Sequence, residues 1–220
     1  MPRASRTVAV RPKPRRAERG PRAAAREARE EVYREHVLRA AEEVFAEEGY
    51  EAAKLVDISR RVRLSMGSIY ALFPGKEQIY DAITERRATE LLALIQEVVA
   101  RDQGPLETLE SLARAYVGYF HSHPEFLRMH VRTGTAWALA ARTGDRGALA
   151  REIQALQTSI FARGVASGVF IDEDAEYLAF LFTGMDEIHL AQWVAGGMRE
   201  PPEELAERFL RIVRRTFVRN

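Results

Sequence analysis

In this 220-residue chain, apolar residues recur with the period of an α-helix in nearly every segment after residue 26. This spacing limits the possible folds more than any other feature of the sequence. Glycine and proline interrupt the pattern at 49, 74–75, 104–105 and 124, where helices are expected to end or begin. No segment shows the alternation that a half-buried strand requires. We therefore predict an all-α fold of about nine helices, three short ones before residue 75 and about six longer ones after it.

The pattern also predicts where the later helices lie. One runs from about 76 to 101, a second starts at 105, and a shorter one after residue 124 is followed by another around Trp137. The last three lie near 147–167, 173–195 and 202–218, with Asp172 as the expected N-cap of the helix at 173–195.

Charge is distributed unevenly along the chain. Residues 1–24 contain eight Lys or Arg and one acidic residue, whereas the remainder is net acidic. Residues 1–25 are therefore expected to form a flexible basic arm that suits a polyanionic partner, although a solvated tail explains the same composition. The chain has no cysteine, which excludes disulfides and thiolate metal sites and fits the cytoplasm. Its longest apolar run, 177–182, is too short to span a membrane, and we expect no signal peptide.

The segment 55–73, LVDISRRVRLSMGSIYALF, predicts a helix-turn-helix. Two short helices, each apolar on one face only, are separated by a turn at 63–65; the apolar positions are Leu55, Ile58 and Val62 in the first helix and Ile69, Leu72 and Phe73 near the second. The second helix of such a motif enters the major groove with its amino end first. The segment therefore predicts a DNA-binding domain at 26–75, completed by the start of the next helix to about residue 83.

The amino end of the second helix has the small and polar side chains that close approach to DNA requires. Ser65 is placed to cap the helix, and Gly67 is otherwise costly there by about 1 kcal/mol relative to alanine. Ser68 and Met66 are the candidates for contacting base edges. Tyr70 lies opposite the apolar face, where its hydroxyl can reach a phosphate.

Lys76 is the candidate for a second phosphate contact. It begins the next helix directly after Pro74-Gly75, so its ammonium lies close to free backbone N–H groups. Contacts of this kind set the register of a protein on DNA.

The run from Ser65 to Glu77, SMGSIYALFPGKE, together with Gly49-Tyr50 and Asp57-Ile58, closely resembles the DNA-binding domain of the TetR family of bacterial repressors. The resemblance covers about residues 30–83. It implies an all-helical homodimer whose C-terminal domain, here 76–220, binds an effector and dimerises. The family's DNA contacts would fall on Lys54, Ser65, Gly67, Ser68, Tyr70 and Lys76.

Four positions depart from the family pattern. Ala53 replaces a threonine that would cap the first helix of the motif, and Arg63 replaces a turn glycine, which implies a positive φ. Met66 and Ala71 replace residues that supply DNA contacts in the family. These departures bear on operator sequence and affinity, and the basic arm can offset them by entering a minor groove.

The C-terminal domain is expected to provide the dimer interface and an effector pocket. By resemblance, the helices at 173–195 and 202–218 form the interface. Leu205, Phe209, Ile212, Val213 and Phe217 make one apolar stripe, and Leu210 points away from it, which suggests two apolar sides. The candidate pocket residues share an apolar or polarisable character, although such residues at helical spacing also fit an ordinary core: Tyr116, Phe120, Met129, His130, Trp137, Phe161, Phe182, Met185 and His189.

These features predict a regulator that binds a palindromic DNA operator as a homodimer and is released by a small hydrophobic or aromatic effector. An activator, or an effector-independent DNA-binding protein with a filled core, fits the same residues. No nucleophile motif or glycine-rich phosphate loop indicates an enzyme, and no cofactor is expected. His121, His123 and His130 have too few carboxylates nearby to indicate a metal site.

Overall fold

The computed structural model describes residues 21–133 and 147–219. Within these ranges the chain forms nine helices: α1 (Pro21–Glu48), α2 (Leu55–Val62), α3 (Met66–Leu72), α4 (Lys76–Val99), α5 (Pro105–Ser122), α6 (Pro124–Thr133), α7 (Gly147–Ala166), α8 (Ala175–Ala195) and α9 (Pro202–Phe217). The predicted all-α fold is confirmed. The basic segment 1–20 and Trp137 lie outside the described residues.

Helix α1 is longer than the sequence pattern predicts. It spans 28 residues and begins at Pro21, so the last five residues of the predicted arm are helical. Proline suits the first position of a helix, and the three alanines that follow are the strongest helix formers, which explains the extension. The helix ends as predicted, because Gly49 adopts a left-handed conformation with φ of 83°.

Helices α1, α2 and α3 form the N-terminal unit around a small apolar core. Phe45 of α1, Ile58 of α2 and Ile69 of α3 are fully buried, and Phe73 after α3 is 2% exposed. Each of the two short helices thus buries one face against α1 and leaves the other face to solvent.

Helices α4 to α9 form the larger C-terminal unit. Part of its core is a cluster of phenylalanine rings from α7, α8, α9 and the segment after α7. The ring centroid of Phe161 of α7 lies 5.3 Å from that of Phe170 and 5.1 Å from that of Phe217. Phe182 of α8 packs against Phe209 of α9 at 5.6 Å. These rings bind α7, α8 and α9 together, and no helix in 21–133 or 147–219 is long and apolar enough to cross a membrane.

Two details of α8 and α9 differ from the sequence-based expectation. The N-cap of α8 is Asp174 rather than Asp172, and its carboxylate accepts a hydrogen bond from the Tyr177 backbone N–H at 2.8 Å. On α9, Leu210 is fully buried within the subunit, whereas Ile212 is 45% exposed. Leu210 therefore does not form the second apolar side, because neighbouring helices of the same chain already cover it.

Candidate DNA-binding surface and ligand cavity

The turn between α2 and α3 depends on Arg63, which adopts the left-handed conformation with φ of 57°. The Arg63 N–H donates to the Arg60 carbonyl at 3.3 Å, and the Leu64 N–H donates to the Ser59 carbonyl at 3.1 Å. This pair of bonds ends α2 in a Schellman motif. The Ser59 hydroxyl donates to the Leu64 carbonyl at 2.8 Å and closes the turn from the other side.

Ser65 caps α3 as the sequence predicts. Its hydroxyl oxygen accepts a hydrogen bond from the Ser68 backbone N–H at 3.1 Å, and the two serine hydroxyls lie 2.9 Å apart. The opposite end of α2 has no such bond, because Lys54 occupies its N-cap position and gives no side-chain cap.

Arginines hold both short helices on α1. The Arg34 guanidinium donates to the Leu72 carbonyl at the end of α3 at 2.6 Å and lies 4.2 Å above the Phe73 ring. Arg61 of α2 makes two hydrogen bonds to the Glu47 carboxylate, at 2.9 and 2.6 Å. The orientation of the α2–α3 pair is therefore set by α1.

The predicted DNA-contact residues gather on the solvent side of α3 and at the start of α2. Lys54, Ser65, Gly67 and Tyr70 are exposed, with 55% of Tyr70 accessible, while Met66 and Ser68 are half-buried. A Cβ added to Gly67 would meet only the Ser65 hydroxyl, at 3.8 Å. No packing contact within the described chain therefore requires glycine at this position.

Lys76 takes a different position from the one expected for a free phosphate ligand. Its ammonium donates to the carbonyls of Tyr50 at 2.6 Å, Ala53 at 3.2 Å and Glu51 at 3.3 Å, and it lies 4.4 Å above the Tyr50 ring. Lys76 thus ties the start of α4 to the loop that precedes α2. Its contact with phosphate stays a prediction.

A cavity of about 120 Å³ lies between α4, α5, α6, α7 and α8. Its size is comparable to cavities of about 150 Å³ that hold a benzene molecule. Most of its wall is apolar, including Leu91, Phe126 and Leu190.

Four of the nine predicted pocket residues line this cavity: Tyr116, Phe120, Met129 and His130. Phe161 and Phe182 do not line the cavity, because they pack in the cluster of phenylalanine rings that joins α7, α8 and α9. Met185 is also absent from the wall. His189 faces α9 instead, where its Nε2 lies 3.0 Å from the Leu205 carbonyl and its ring stacks on Phe209. Burial lowers the pKa of His189.

The cavity also contains polar groups that the sequence analysis missed. Gln157 donates from Nε2 to the Tyr116 hydroxyl at 2.9 Å and accepts at Oε1 from the Thr183 hydroxyl at 3.0 Å. Asp186 is 5% exposed, and desolvation, aided by nearby Glu187, raises its pKa to about 8. A sequence signal existed: Asp186 falls in register with buried Phe182 and His189 at helical spacing.

The three histidines considered as metal ligands are separated by their packing. His123 Nδ1 lies 2.8 Å from the Tyr119 carbonyl, His121 is exposed near Trp193, and His130 lines the cavity. In 21–133 and 147–219, no three His, Cys, Asp or Glu residues group in a way that suits a metal ion.

Two family models match most of this architecture. Residues 37–83 match bacterial regulatory proteins of the tetR family, and residues 102–217 match the tetracyclin repressor-like C-terminal domain. The chain therefore belongs to the TetR family of transcriptional regulators, with an N-terminal helix-turn-helix and a helical C-terminal domain.

Individual relatives agree with this assignment. The chain is 26% identical over 141 residues to the transcriptional repressor NicS of Pseudomonas putida. The aligned region covers 64% of this chain and 66% of NicS, so the match spans slightly less than two thirds of the length of NicS. A tetR-family regulatory protein from Rhodococcus has the same fold, with a TM-score of 0.72, 23% identity and coverage of 86% of this chain and 98% of that one. The regulator FadR of Bacillus subtilis, solved with stearoyl-CoA, has a TM-score of 0.66 and 17% identity, covering 80% and 95% of the two chains.

Proposed function

We propose that this protein represses transcription by binding a palindromic operator as a homodimer, and that a small effector in the cavity releases it. The observation that carries this proposal is the course of α4. The helix begins at Lys76 beside the helix-turn-helix, and further along Tyr80, Thr84 and Leu91 line the cavity. A single helix thus borders both the DNA-binding unit and the space for a ligand.

The exposed side of α3 supplies the DNA contact. Residues Ser65 to Ser68 enter the major groove, and Tyr70 and Lys54 reach phosphates on either side. The lack of bulk at Gly67 supports close approach of the helix backbone to the DNA.

Dimerisation is supported by exposed apolar side chains on α8 and α9. Tyr177 and Ile188 lie on one face of α8 and are 51% and 68% exposed, and Ile212 of α9 is 45% exposed. Gly184 lies on the same face of α8, and a Cβ added there would meet nothing within 4 Å, so a second helix can approach closely. Pairing these faces across a two-fold axis presents two recognition helices, which must lie about 34–36 Å apart to read successive major grooves.

Two sets of contacts connect the cavity with the DNA-binding unit. Tyr80 packs edge-on against Tyr50 at 4.9 Å, and Tyr50 lies beneath the Lys76 ammonium. From α6, which lines the cavity, Arg132 donates to the Glu47 carbonyl at the end of α1 at 2.9 Å. An effector that shifts α4 or α6 therefore displaces the helix-turn-helix, and linkage requires DNA and effector to weaken each other by equal factors.

Selection of bound sequences from a random DNA pool tests the DNA-binding half of the proposal. We expect a palindromic product, because the dimer presents the same surface twice. A product without two-fold symmetry, or no enrichment, would contradict it. The protein is proposed to act in the cytoplasm, where the bacterial chromosome lies.

Substitution of Tyr70 by Phe then tests the placement of the surface. Loss of a hydrogen bond to a charged phosphate costs about 1.5–3 kcal/mol, so affinity for the selected DNA falls about tenfold or more. Tyr33→Phe is the matched control, since that tyrosine is 42% exposed but lies on α1 rather than on α3 or the proposed dimer face. Equal affinities for the two variants would place the DNA elsewhere.

Two alternatives are separated by further measurements. An activator binds the same palindrome but raises transcription from a reporter promoter. An effector-independent protein keeps its DNA affinity and its melting temperature with every ligand that fits the cavity.

A further inference from the structure

Asp186 is the feature of the cavity that neither the fold nor DNA binding explains. Its side chain lines the cavity from α8 and is 5% exposed, and its Oδ1 atom has no hydrogen-bond partner among the described residues. A buried polar group without a partner is costly, and a buried carboxylate is retained where something compensates its charge.

The polar neighbours of Asp186 are engaged with one another. Gln157 bonds to both Tyr116 and Thr183, and the Thr183 hydroxyl also lies 3.0 Å from the Ala179 carbonyl of its own helix. None of these hydrogen bonds reaches Oδ1 of Asp186.

The charges that face Asp186 favour a cation. The other titratable groups on the described wall are Glu187 on the same helix, His130 on α6, Tyr116 on α5 and Tyr80 on α4, and α7 contributes none. No Lys or Arg within the described part of the chain lines the cavity. An anionic ligand would face the Asp186 carboxyl group with no cationic side chain of the described wall beside it, and an uncharged hydrocarbon would leave Oδ1 unpaired.

We propose that the cavity binds a small apolar amine in its protonated form, with the ammonium donating to Asp186 and the apolar body lying against Leu91, Phe120 and Leu190. This inference rests on the proposed function, because it names the chemical class of the effector. An ammonium donor both supplies the hydrogen bond that Oδ1 lacks and compensates the charge of the carboxylate that forms when Asp186 gives up its proton.

Binding of such an amine is coupled to proton release. Since burial raises the pKa of Asp186 to about 8, its carboxyl group carries a proton at neutral pH before an amine binds. The ammonium replaces that proton: the neutral acid and the ammonium become a carboxylate–ammonium pair, and one proton leaves to solvent. Affinity therefore rises about tenfold per pH unit up to pH 8 and levels off above it, while the amine stays protonated.

Titration calorimetry with benzylamine, toluene and benzoate tests the proposal on the full chain. The three probes share a ring and differ in charge. We expect benzylamine to bind at least tenfold more tightly than the other two. At pH 7, heats measured in buffers of different ionisation enthalpy should show nearly one proton released per subunit.

Two variants locate the interaction. Asp186→Asn removes the charge and keeps the shape, so it should lose at least tenfold of the affinity for benzylamine together with the proton release. Asp172→Asn, the same change at an exposed residue before α8 that does not line the cavity, should stay within about threefold of the parent. Circular dichroism verifies that each variant folds, and toluene binding confirms that the cavity is intact.

Equal binding of benzylamine and toluene, tighter binding of benzoate, or an undiminished Asp186→Asn variant would overturn this inference. These outcomes are distinct from failure of the proposed function. A protein that selects a palindrome but shows no preference for the amine loses only the effector class. A protein that binds benzylamine through Asp186 but enriches no DNA loses the regulatory role.

Discussion

Arg87 donates from Nε at 2.9 Å and from Nη2 at 2.7 Å to the two carboxylate oxygens of Glu42, joining α4 to α1 through a buried ion pair. The side chains of Arg87 and Glu42 are 9% and 6% exposed. Glu42 also accepts from Arg86 at 3.0 Å, and Arg87 donates to Glu90 at 2.8 Å. The contact between the N-terminal unit, which includes the helix-turn-helix, and the C-terminal unit, which contains the cavity, is therefore ionic as well as apolar.

Removing one partner of this pair is expected to destabilise the protein strongly. Glu42→Ala leaves Arg87 with only the more exposed Glu90, and Arg87→Ala leaves Glu42 with only Arg86. The loss should therefore approach the cost of breaking a buried ion pair, about 3–5 kcal/mol of the free energy of unfolding. Urea unfolding followed by circular dichroism measures the loss.

The exposed pair of Arg101 and Glu97 provides the control. Its side chains are 50% and 71% exposed, so Glu97→Ala should change the free energy of unfolding by less than about 1 kcal/mol. If Glu42→Ala and Glu97→Ala lower the free energy of unfolding by similar amounts, the buried ion pair stabilises the protein no more than the exposed one.

Arg63→Gly is expected to stabilise the protein. A residue with a side chain is strained by about 1–2 kcal/mol in the left-handed conformation, and glycine is not, although glycine loses more entropy on folding. The net gain should be about 1 kcal/mol, measured by urea unfolding. Arg60→Gly, inside α2, should instead destabilise by about 1 kcal/mol. A loss of stability in Arg63→Gly would refute the argument from strain.

Gly67→Ala separates stability from DNA binding. Alanine favours a helix by about 1 kcal/mol over glycine, and nothing in the described chain opposes its methyl group, so the free protein should gain stability. DNA affinity should fall, because the methyl group projects where α3 approaches the groove.

Gly118→Ala on α5 is the matched substitution. A Cβ at Gly118 also meets nothing within 4 Å, and the residue is exposed. We expect the same gain in stability and an unchanged DNA affinity, measured by fluorescence anisotropy with the selected operator. Unimpaired DNA binding by Gly67→Ala would show that α3 does not approach DNA through this residue.

The titration of Asp186 predicts how stability depends on pH. Folding raises its pKa from 3.8 to about 8, so the folded chain holds a proton that the unfolded chain releases. The contribution of Asp186 to stability is therefore greatest below pH 4 and is lost progressively as the pH rises to 8. Asp186→Asn should gain stability over the parent as the pH increases from 5 to 8, and the difference should level off above 8.

Thermal unfolding of both proteins from pH 5 to 9 measures this difference. Glu97→Gln, whose side chain is 71% exposed, serves as the reference and should parallel the parent at every pH. A constant difference between Asp186→Asn and the parent would mean that the carboxyl group titrates alike in the folded and unfolded chains.

Much of the fold was accessible from local sequence. The breaks at Gly49 and at 104–105, the cap at Ser65 and the positive φ of Arg63 are decided within a few residues by backbone sterics and short hydrogen bonds. The N-cap of α8 was predicted at Asp172 and is found at Asp174. Local reasoning could not choose between them, because both aspartates are suitable N-cap residues just before the helix.

The cavity was harder to predict, because apolar residues at helical spacing look alike whether they face a cavity or a filled core. Phe161 and Phe182 were expected in the pocket but pack against rings from α9, whereas Phe120 lies on the wall. The type of a side chain predicts whether it is buried. Which other side chains it then contacts depends on the angles and distances at which the helices cross.

Periodicity and turn chemistry along one stretch of chain were sufficient to predict the helical class, the position of the helix-turn-helix and the exposed side of α3. Three contacts could be seen only in the folded chain: Lys76 binds backbone carbonyls of the loop before α2, Glu42 pairs with Arg87, and Asp186 lines a cavity without a partner for Oδ1. These contacts join residues far apart in the chain, and their geometry depends on how whole helices pack.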